Sequence, residues 1–188
     1  ALAGRFPILE ELGRGGMGVV HKAYEGALSR IVALKGVRSD LPFVSLQVTE
    51  RFRREALAAA RLRHPGIIPV HEVCEVDGRP HIVMEYVAGV TLGRWLDGRD
   101  GRPREAARLV REVALAIAHA HQQGVIHRDL KPANILIAGE GDVVLTDFGL
   151  GRAAEATARS LSLSTSRSSA EELRLVGTLR YMSPEQAA

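Results

Sequence analysis

The sequence predicts an α+β fold in two parts, a sheet-rich first part and a mainly helical second part that meet near Ala88-Gly89. Apolar and β-branched runs alternate with turn residues as far as residue 86, which is typical of strands. Beyond Pro103, apolar residues recur every three or four positions, which is typical of a helix packed on one face. The length of 188 residues and the 46% share of hydrophobic residues suffice for a packed core.

The first part begins with three predicted strands. They are expected at 6–12, 19–24 and 31–37, where the residues are apolar or β-branched. A glycine cluster separates the first two, and a turn at 25–30 separates the second from the third. Short connections of this kind predict an antiparallel meander.

One helix and two more strands complete the first part. The helix is expected at 49–63, because apolar residues fall near helical spacing there and Pro65-Gly66 prevents its continuation. The strands are expected at 67–76 and 81–86 and are joined at Asp77-Gly78, a hairpin signal.

The second part is built around one long helix. It is expected at 104–123, with Pro103 suited to the first helical position and Gly124 to its end. Two short strands are expected at 134–138 and 143–146. The two parts therefore differ in secondary structure, as in an α+β fold.

Composition and charge exclude several classes of protein. No apolar stretch approaches the ~20 residues needed to cross a bilayer, and the N-terminal residues lack the pattern of a secretory signal. A single cysteine, Cys74, cannot form an internal disulfide, so a cytosolic location is expected. The net charge is only +3, aromatic residues are 4%, and no nucleic-acid-binding surface is predicted. The first residue is not Met, so we expect the chain to start inside a longer polypeptide, which leaves open a membrane anchor elsewhere in it.

Lysine is rare in this chain. It has 22 arginines and three lysines, namely Lys22, Lys35 and Lys131. An ammonium is a compact point charge, whereas a guanidinium is a planar fork. A lysine kept in a chain that otherwise uses arginine suggests that the local geometry requires an ammonium.

The glycine cluster contains the pattern G-x-G-x-x-G, formed by Gly13, Gly15 and Gly18. In dinucleotide-dependent oxidoreductases the last glycine opens a helix, but the residues after Gly18 predict a strand. Between two antiparallel strands, such a segment can lie over a triphosphate and offer backbone N–H groups to its oxygens. A flexible hairpin turn without a ligand is the alternative.

Lys35 lies between apolar residues in a predicted strand, where a charge is costly unless it has an anionic partner. A nucleotide phosphate and Glu55 of the following helix are the candidate partners. The alternative is a lysine at the surface of an edge strand.

The residue types that phosphoryl transfer requires are concentrated further along the chain. Asp129 offers a carboxylate to accept a hydroxyl proton, and Lys131 offers an ammonium to neutralise developing charge. Asn134 and Asp147 offer the oxygen ligands that suit Mg²⁺. All four lie within one short segment of the sequence.

Together these motifs resemble, in order and over residues 6–186, the eukaryotic-type protein kinases of bacteria. The resemblance rests on six motifs, namely the glycine-rich segment 13–18, Val32-Ala33-Leu34-Lys35, Glu55 in its helix, the catalytic loop 127–134, Asp147-Phe148-Gly149 and Ser183-Pro184-Glu185. It implies a bilobal protein-kinase-like fold. An antiparallel five-stranded N-lobe with one main helix is expected at 6–87, and an incomplete, mainly helical C-lobe at 88–188. Because the motifs break off there, we expect exposed apolar area on the helix 104–123 and poor solubility.

The resemblance also implies roles for individual residues, with ATP and Mg²⁺ as cofactors. Lys35 is implied to hold the α- and β-phosphates and to pair with Glu55. Asp129 is implied to be the catalytic base and Lys131 to contact the γ-phosphate. Both Asn134 and Asp147 are implied to bind Mg²⁺. The remaining nucleotide-binding residues implied are Gly13, Gly15, Gly16, Gly18, Val20, Ala33, Met84, Glu85, Val87 and Leu136.

Within that set, Val20, Ala33 and Leu136 are implied to sandwich the adenine ring. Backbone groups of Glu85 and Val87 are implied to read its edge, and Met84 to guard a deeper pocket. A column of four side chains is implied to align the lobes, namely Val70, His127, Phe148 and Ala59, of which Ala59 is small for its place.

The resemblance favours transfer to serine and threonine, because Lys131 and Thr178 match that class. Arg128 beside Asp129 is typical of kinases switched on by phosphorylation of the activation segment, here 147–185. Seven of the ten residues at 160–169 are Ser or Thr, so autophosphorylation, possible in trans, is predicted within 157–169. The alternative for that segment is a polar loop without a regulatory role.

The expected partners are ATP and proteins that bear serine or threonine. A nucleotide-binding pseudokinase, a scaffold or an inactive kinase fragment is the alternative. The usual sign of a pseudokinase is loss of Lys35, Asp129 or Asp147, and the sequence retains all three.

Overall fold

The computed structural model describes residues 4–15, 18–37, 46–76, 78–97, 102–148 and 181. The strands and α-helices within these ranges are β1 Ile8–Arg14, β2 Gly18–Glu25, β3 Arg30–Val37, α1 Leu46–Ala59, β4 Val70–Val76, β5 Arg79–Glu85, β6 Gly89–Thr91, α2 Leu92–Leu96, α3 Pro103–Gln122, β7 Ile135–Ala138 and β8 Asp142–Leu145. None of the described helices is long and apolar enough to span a bilayer.

Five antiparallel strands form the large sheet, in the order β1-β2-β3-β5-β4. This confirms the predicted five-stranded sheet. The central strands β3 and β5 have the longest buried runs, whereas β1 is exposed along most of its length. An apolar strand is most stable where both of its edges are paired and both of its faces are covered. Of the predicted hairpin signal, Gly78 has a φ of +71°, as a turn requires, and residue 77 lies outside the described residues.

Helix α1 differs from its predicted range of 49–63, since it begins at Leu46 and ends at Ala59. Its last turn tightens, because the N–H of Arg61 donates to the Ala58 carbonyl and the N–H of Leu62 to the Ala59 carbonyl. These bonds span three residues, so the helical path continues for one tighter turn. The difference lies at a helix end, where fraying makes any boundary imprecise.

The second part contains α3 and a small sheet in the order β6-β7-β8. Helix α3 spans 20 residues, and Pro103 lies at its start as predicted. Strand β6 and helix α2 were not predicted, because elements of three and five residues are too short to show a period. On α3, Val110 is 67% exposed and Leu115 is 44% exposed. Whether this makes the chain poorly soluble stays a prediction.

Among the residues that the structure describes, three buried clusters form the core. One covers the outer face of the large sheet around Phe6 and Leu34, and a second lies between that sheet and α1. The third packs α3 against the small sheet around Leu145. The two parts are also joined by backbone hydrogen bonds, since the Ile68 N–H donates to the Leu145 carbonyl and the Leu145 N–H to the Gly66 carbonyl, both at 2.9 Å. This junction fixes the end of β8 against the first part, which positions the residues that follow β8.

Candidate active site

The glycine-rich segment forms the turn between β1 and β2. The Gly15 N–H donates to the Gly18 carbonyl at 2.9 Å. A side chain at Gly18 would place its Cβ 2.6 Å from the Gly36 carbonyl oxygen, so only glycine fits there. Within the described ranges, no atom lies within 4 Å of the position that a Cβ would take at Gly13 or Gly15, which leaves room for a ligand. Gly16, the fourth predicted glycine, lies outside the described residues.

Lys35 lies within the central strand β3 and is 6% exposed. Its Nζ is 2.7 Å from Oδ1 of Asp147, which comes two residues after β8. An ion pair offsets the cost of burying the ammonium. This contact brings together one residue from each part of the chain. Glu55 lies partly buried on α1, and its pairing with Lys35 stays a prediction.

Two residues of the loop 127–134 contact the carboxylate of a third, Asp129. Oδ2 of Asp129 lies 2.8 Å from Nζ of Lys131 and accepts a hydrogen bond from Nδ2 of Asn134 at 3.1 Å. The same Nδ2 donates to the backbone carbonyl of Asp129 at 2.7 Å. The 3-10 helix Pro132–Asn134 brings Asn134 back toward Asp129, and Asn134 is buried. The amide nitrogen can only donate hydrogen bonds, so the amide oxygen is the atom of Asn134 that can bind a cation.

His127 connects this loop to the end of β8. Its Nε2 lies 2.9 Å from the Thr146 carbonyl, which can only accept, and its Nδ1 lies 3.3 Å from the Asp129 N–H, which can only donate. The ring is therefore neutral with the proton on Nε2. Burial lowers its pKa, which favours the same form.

Thr146 is a site residue that the sequence did not reveal. Its backbone N–H donates to the Asn134 carbonyl at 3.0 Å, and its carbonyl accepts from His127. These two bonds hold the end of β8 beside the loop, so the carboxylates of Asp129 and Asp147 belong to one site. The Thr146 hydroxyl adds a longer bond of 3.4 Å to the same Asn134 carbonyl. The two shorter bonds are made by backbone groups, which any residue type could supply, so no residue-type pattern signalled the role.

Two non-glycine residues of the site have left-handed backbone, Arg128 with φ +65° and Asp147 with φ +64°. This conformation costs about 1–2 kcal/mol for a residue with a Cβ. Such strain persists where the surrounding structure imposes it, as it commonly does at active sites. Here it turns the chain sharply just before Asp129 and at Asp147.

The predicted adenine-binding side chains share one apolar cluster. Ala33 and Met84 are buried in it, and Val20, Val87 and Leu136 pack against it while partly exposed. The cluster therefore presents apolar surface from both parts of the chain at the edge of the interface between them. The N–H of Glu85 donates to the Pro69 carbonyl at 2.9 Å, so a ligand at Glu85 would have to contact its carbonyl.

A cavity of about 20 Å³ lies behind Met84. It is bounded by Asp147 and by apolar side chains, which are Ala56, Ala59, Ile68, Val70, Ile82, Met84 and Phe148. The predicted column is present in part, because the rings of His127 and Phe148 lie 4.6 Å apart and Phe148, Val70 and Ala59 all line this cavity. Space for about one water molecule remains where a larger side chain than Ala59 would reach.

Several predicted residues lie outside the described residues. They are Gly149, the segment 157–169, Thr178 and Ser183-Pro184-Glu185. The predictions made for them stay predictions.

The arrangement suits phosphoryl transfer. It has one carboxylate beside an ammonium, and a second carboxylate and an amide oxygen that can hold a hard cation. An open glycine turn and an apolar slot lie in the same region.

Comparison with known families gives one match that spans almost the whole chain. The model described as "Protein kinase domain" matches residues 6–187. Among characterised relatives, the serine/threonine-protein kinase PrkC of Bacillus subtilis is 41% identical over 187 residues. That alignment covers 99% of this chain and 27% of PrkC. PknB of Mycolicibacterium smegmatis, also a serine/threonine-protein kinase, is 42% identical over 195 residues, covering 99% of this chain and 29% of PknB.

Solved structures agree with these relatives. The crystal structure of the Mycobacterium tuberculosis PknI kinase domain aligns with a TM-score of 0.67 and 32% identity, covering 78% of this chain and 60% of that one. The apo form of PpkA-294 aligns with a TM-score of 0.71 and 27% identity, covering 87% and 65%. This chain therefore spans less than a third of the two relatives and about three fifths of the solved domains.

Proposed function

The chain belongs to the protein kinase domain family, and from this premise we propose that it transfers the γ-phosphoryl group of ATP to serine or threonine hydroxyls of proteins. The observation that carries the proposal is that Lys131 and Asn134 contact the Asp129 carboxylate, in a loop that His127 joins to Thr146, next in sequence to the Asp147 that pairs with Lys35. Relatives named as serine/threonine kinases support the choice of acceptor.

In this proposal Asp129 is the catalytic base. Its carboxylate accepts the proton of the substrate hydroxyl as the hydroxyl oxygen forms a bond to the γ-phosphorus of ATP. The bond between that phosphorus and the oxygen bridging it to the β-phosphate breaks, and ADP leaves with that oxygen. Lys131 lies 2.8 Å from that carboxylate, where its charge orients Asp129 and can neutralise a phosphoryl oxygen. Lys35 would hold the α- and β-phosphates, with Glu55 as its partner on α1.

The residues present fit Mg²⁺ and ATP. Asp147 offers carboxylate oxygens and Asn134 an amide oxygen, which are the hard ligands that Mg²⁺ prefers. In the described part of the chain, no three His, Cys, Asp or Glu side chains cluster to hold a metal ion by themselves. A Mg²⁺ ion held by two side chains and by phosphate oxygens agrees with that. When bound, Mg·ATP supplies the phosphoryl group and the positive charge that stabilises its transfer.

The remaining assignments follow the same family pattern. We assign 6–87 to the N-lobe, which contains the glycines that cover the phosphates, and 88–188 to the C-lobe. Val20, Ala33 and Leu136 would contact the adenine ring, backbone groups of Glu85 and Val87 would read its edge, and Met84 would limit the pocket behind it. Open space at Gly13 and Gly15 and the shared apolar cluster support this orientation.

We also propose a cytoplasmic location and autophosphorylation in trans within 157–169. The presence of a single cysteine, which cannot form a disulfide within the given sequence, supports the location. Mass spectrometry after incubation with Mg·ATP tests the second point. Phosphate on 157–169 is expected, and its rate per molecule should rise with protein concentration if the reaction occurs in trans.

Radiolabelled ATP and a generic basic protein test the proposed function. We expect label on the protein substrate, and we expect Asp129→Asn to lower kcat by about 10²- to 10⁴-fold while ATP still binds, because the proton acceptor is lost and the nucleotide contacts remain. An assay of the same chain extended at its carboxyl end controls for the extent of the domain. ATP binding without transfer in either form would instead favour a pseudokinase.

A further inference from the structure

Lys22 is the lysine that the proposed active site leaves unused. Lys35 and Lys131 have catalytic assignments, whereas Lys22 lies in β2, four residues beyond Gly18. We propose that Lys22 is a positioning residue for nucleotide binding, which holds the glycine-rich hairpin β1–β2 against Tyr86 at the junction of the two parts. This inference rests on the proposed function, because it concerns how the same nucleotide is retained.

Three elements meet at the Lys22 ammonium. Its Nζ is 3.0 Å from Oε1 of Glu10 on β1, the residue paired with Lys22 across the two strands. The same Nζ lies 4.7 Å from the centre of the Tyr86 ring, which is close enough for a cation–π contact. Tyr86 follows the last residue of β5 and precedes β6. Lys22 therefore connects both strands of the hairpin to the segment that joins the sheets.

The strand register places Lys22 on the cleft side of the hairpin. Alternate residues of a strand point to the same face, so Lys22 shares a face with Val20. Val20 packs against the cluster that contains Ala33 and Met84, and Ala33 is the residue opposite Lys22 on β3. Lys22 thus lies at the outer rim of the apolar slot proposed for adenine.

Strand β2 of the hairpin pairs with β3 along its whole length, from Gly18 opposite Val37 to Glu25 opposite Arg30, so the Lys22 contact is a side-chain restraint added to this pairing. Strand β1 is an edge strand whose residues are exposed apart from the partly buried Ile8. The turn glycines Gly13 and Gly15 have open space around them. At about 3.3 Å per residue, Lys22 lies roughly 13 Å from Gly18. Together with the β2–β3 pairing, a restraint at that distance limits how far the glycine turn can tilt away from the phosphates.

The ammonium keeps its charge in this place. The hydrogen bond with Glu10 raises the pKa of Lys22, desolvation opposes that effect, and the contact with Tyr86 raises it further. The side chain is 26% exposed, so each contact is modest and sensitive to salt. We therefore expect a several-fold effect on nucleotide affinity rather than its loss.

The test measures the Kd of ATP by titration calorimetry for the wild-type chain and for Lys22→Met, which keeps the length of the side chain without its charge. We expect Lys22→Met to raise the Kd about 3- to 5-fold, as loss of an exposed cation–π contact implies, through faster dissociation. At saturating ATP, kcat should change by less than about two-fold, since no contact with reacting atoms is lost. Lys22→Arg should keep the Kd within about two-fold of wild type, because arginine also makes cation–π contacts.

Arg111→Met is the matched control. It removes another cation that makes an exposed ion pair, with Glu112 on α3, and it should leave the Kd unchanged. Tyr86→Leu should raise the Kd about as much as Lys22→Met does. The double variant should raise the Kd no further, because the two substitutions remove the same contact. Wild-type affinity in Lys22→Met, or additive effects of the two substitutions, overturns the inference.

Thermal unfolding of each variant separates positioning from stability. If Lys22→Met unfolds at a lower temperature than the wild-type chain, the Kd of ATP is measured for Glu10→Gln instead. A smaller rise in Kd is expected there, because Lys22 still lies over the Tyr86 ring. An unchanged Kd in Glu10→Gln would then count against the inference. If the wild-type chain binds no ATP, the proposed function fails. If the chain binds ATP with an affinity that does not depend on Lys22, only the inference about Lys22 fails.

Discussion

At the scale of single residues, the proposed site consists of charged groups that hold one another in place. Asp129 is bound by an ammonium and by an amide, and Asp147 by the ammonium of Lys35. A side chain fixed in this way loses little entropy when substrate binds, which favours a preorganised site. The neutral ring of His127 extends this order to the backbone, because each of its nitrogens contacts a different chain segment.

The lowered pKa of His127 predicts how the stability of the folded chain depends on pH. Burial lowers its pKa below the ordinary value of 6.5, so the folded state favours the neutral ring. The stability that this provides is complete above pH 6.5 and is lost as pH falls through the lowered pKa. We expect the melting temperature to fall between pH 7 and pH 5, and the fall to be smaller in His127→Gln.

His71 is the control for that measurement. Its pKa is also lowered, by burial and then by the charge of Arg30, so it contributes with the same sign. His71 is exposed whereas His127 is 2% exposed, so His71→Gln should remove the smaller share of the pH dependence. An equal slope in wild type and His127→Gln would contradict the prediction.

At the scale of secondary structure elements, the backbones of two strands in the small sheet approach each other so closely that one position requires glycine. Strand β6 pairs with β7, and Gly89 lies opposite Ala138. A Cβ at Gly89 would lie 2.4 Å from the Ile137 carbonyl oxygen, a contact that no rotamer change relieves. Strand β6 can therefore pair only because its first residue lacks a side chain.

Gly89→Ala should weaken this sheet. Forcing a methyl group against the backbone should lower the free energy of unfolding by about 1–3 kcal/mol, so the midpoint of denaturant-induced unfolding should shift to a lower denaturant concentration. Gly93→Ala is the control, because its Cβ would lie 3.9 Å from the nearest atom, a side-chain carbon of Pro132. Alanine favours a helix over glycine, so Gly93→Ala should be neutral or slightly stabilising. Equal stabilities of the two variants would count against the clash.

At the scale of the whole molecule, the end of β8 joins the two parts. Leu145 is fully buried in the cluster beneath α3, and its backbone bonds to both Gly66 and Ile68 of the first part. Ala59 packs against this cluster and against the one under the large sheet. The cores are therefore continuous, so unfolding of one part should expose the other.

Leu145→Ala tests that continuity. Removing a buried leucine side chain costs about 2–5 kcal/mol. Hydrogen exchange should become faster in β5 of the first part as well as in α3 of the second. Val110→Ala, at a position that is 67% exposed, should change stability by no more than about 0.5 kcal/mol. Faster exchange confined to α3 would show that the two parts unfold separately.

The strands of the large sheet and helix α3 were predictable because their signals are local. Each is a run of residues with one period, bounded by glycine, proline or polar turns. The short β6 and α2 were missed, because segments as brief as Gly89–Thr91 form through contacts with β7 rather than through propensity. The sequence predicted Asp129, Lys131, Asn134 and Asp147 as one set, and the structure brings the first three into contact, while their roles in phosphoryl transfer stay a prediction.

The sequence by itself determined the order of the main elements, the family and the chemical groups available for transfer, because residue type and spacing along the chain specify them. Tertiary structure alone decided that Lys35 pairs with Asp147, that His127 is protonated on Nε2, that Thr146 joins the loop to β8 and that Lys22 meets Tyr86. Each of these contacts joins residues far apart in sequence, or depends on a backbone group. Their geometry comes from the packing of the two parts, which no local pattern encodes.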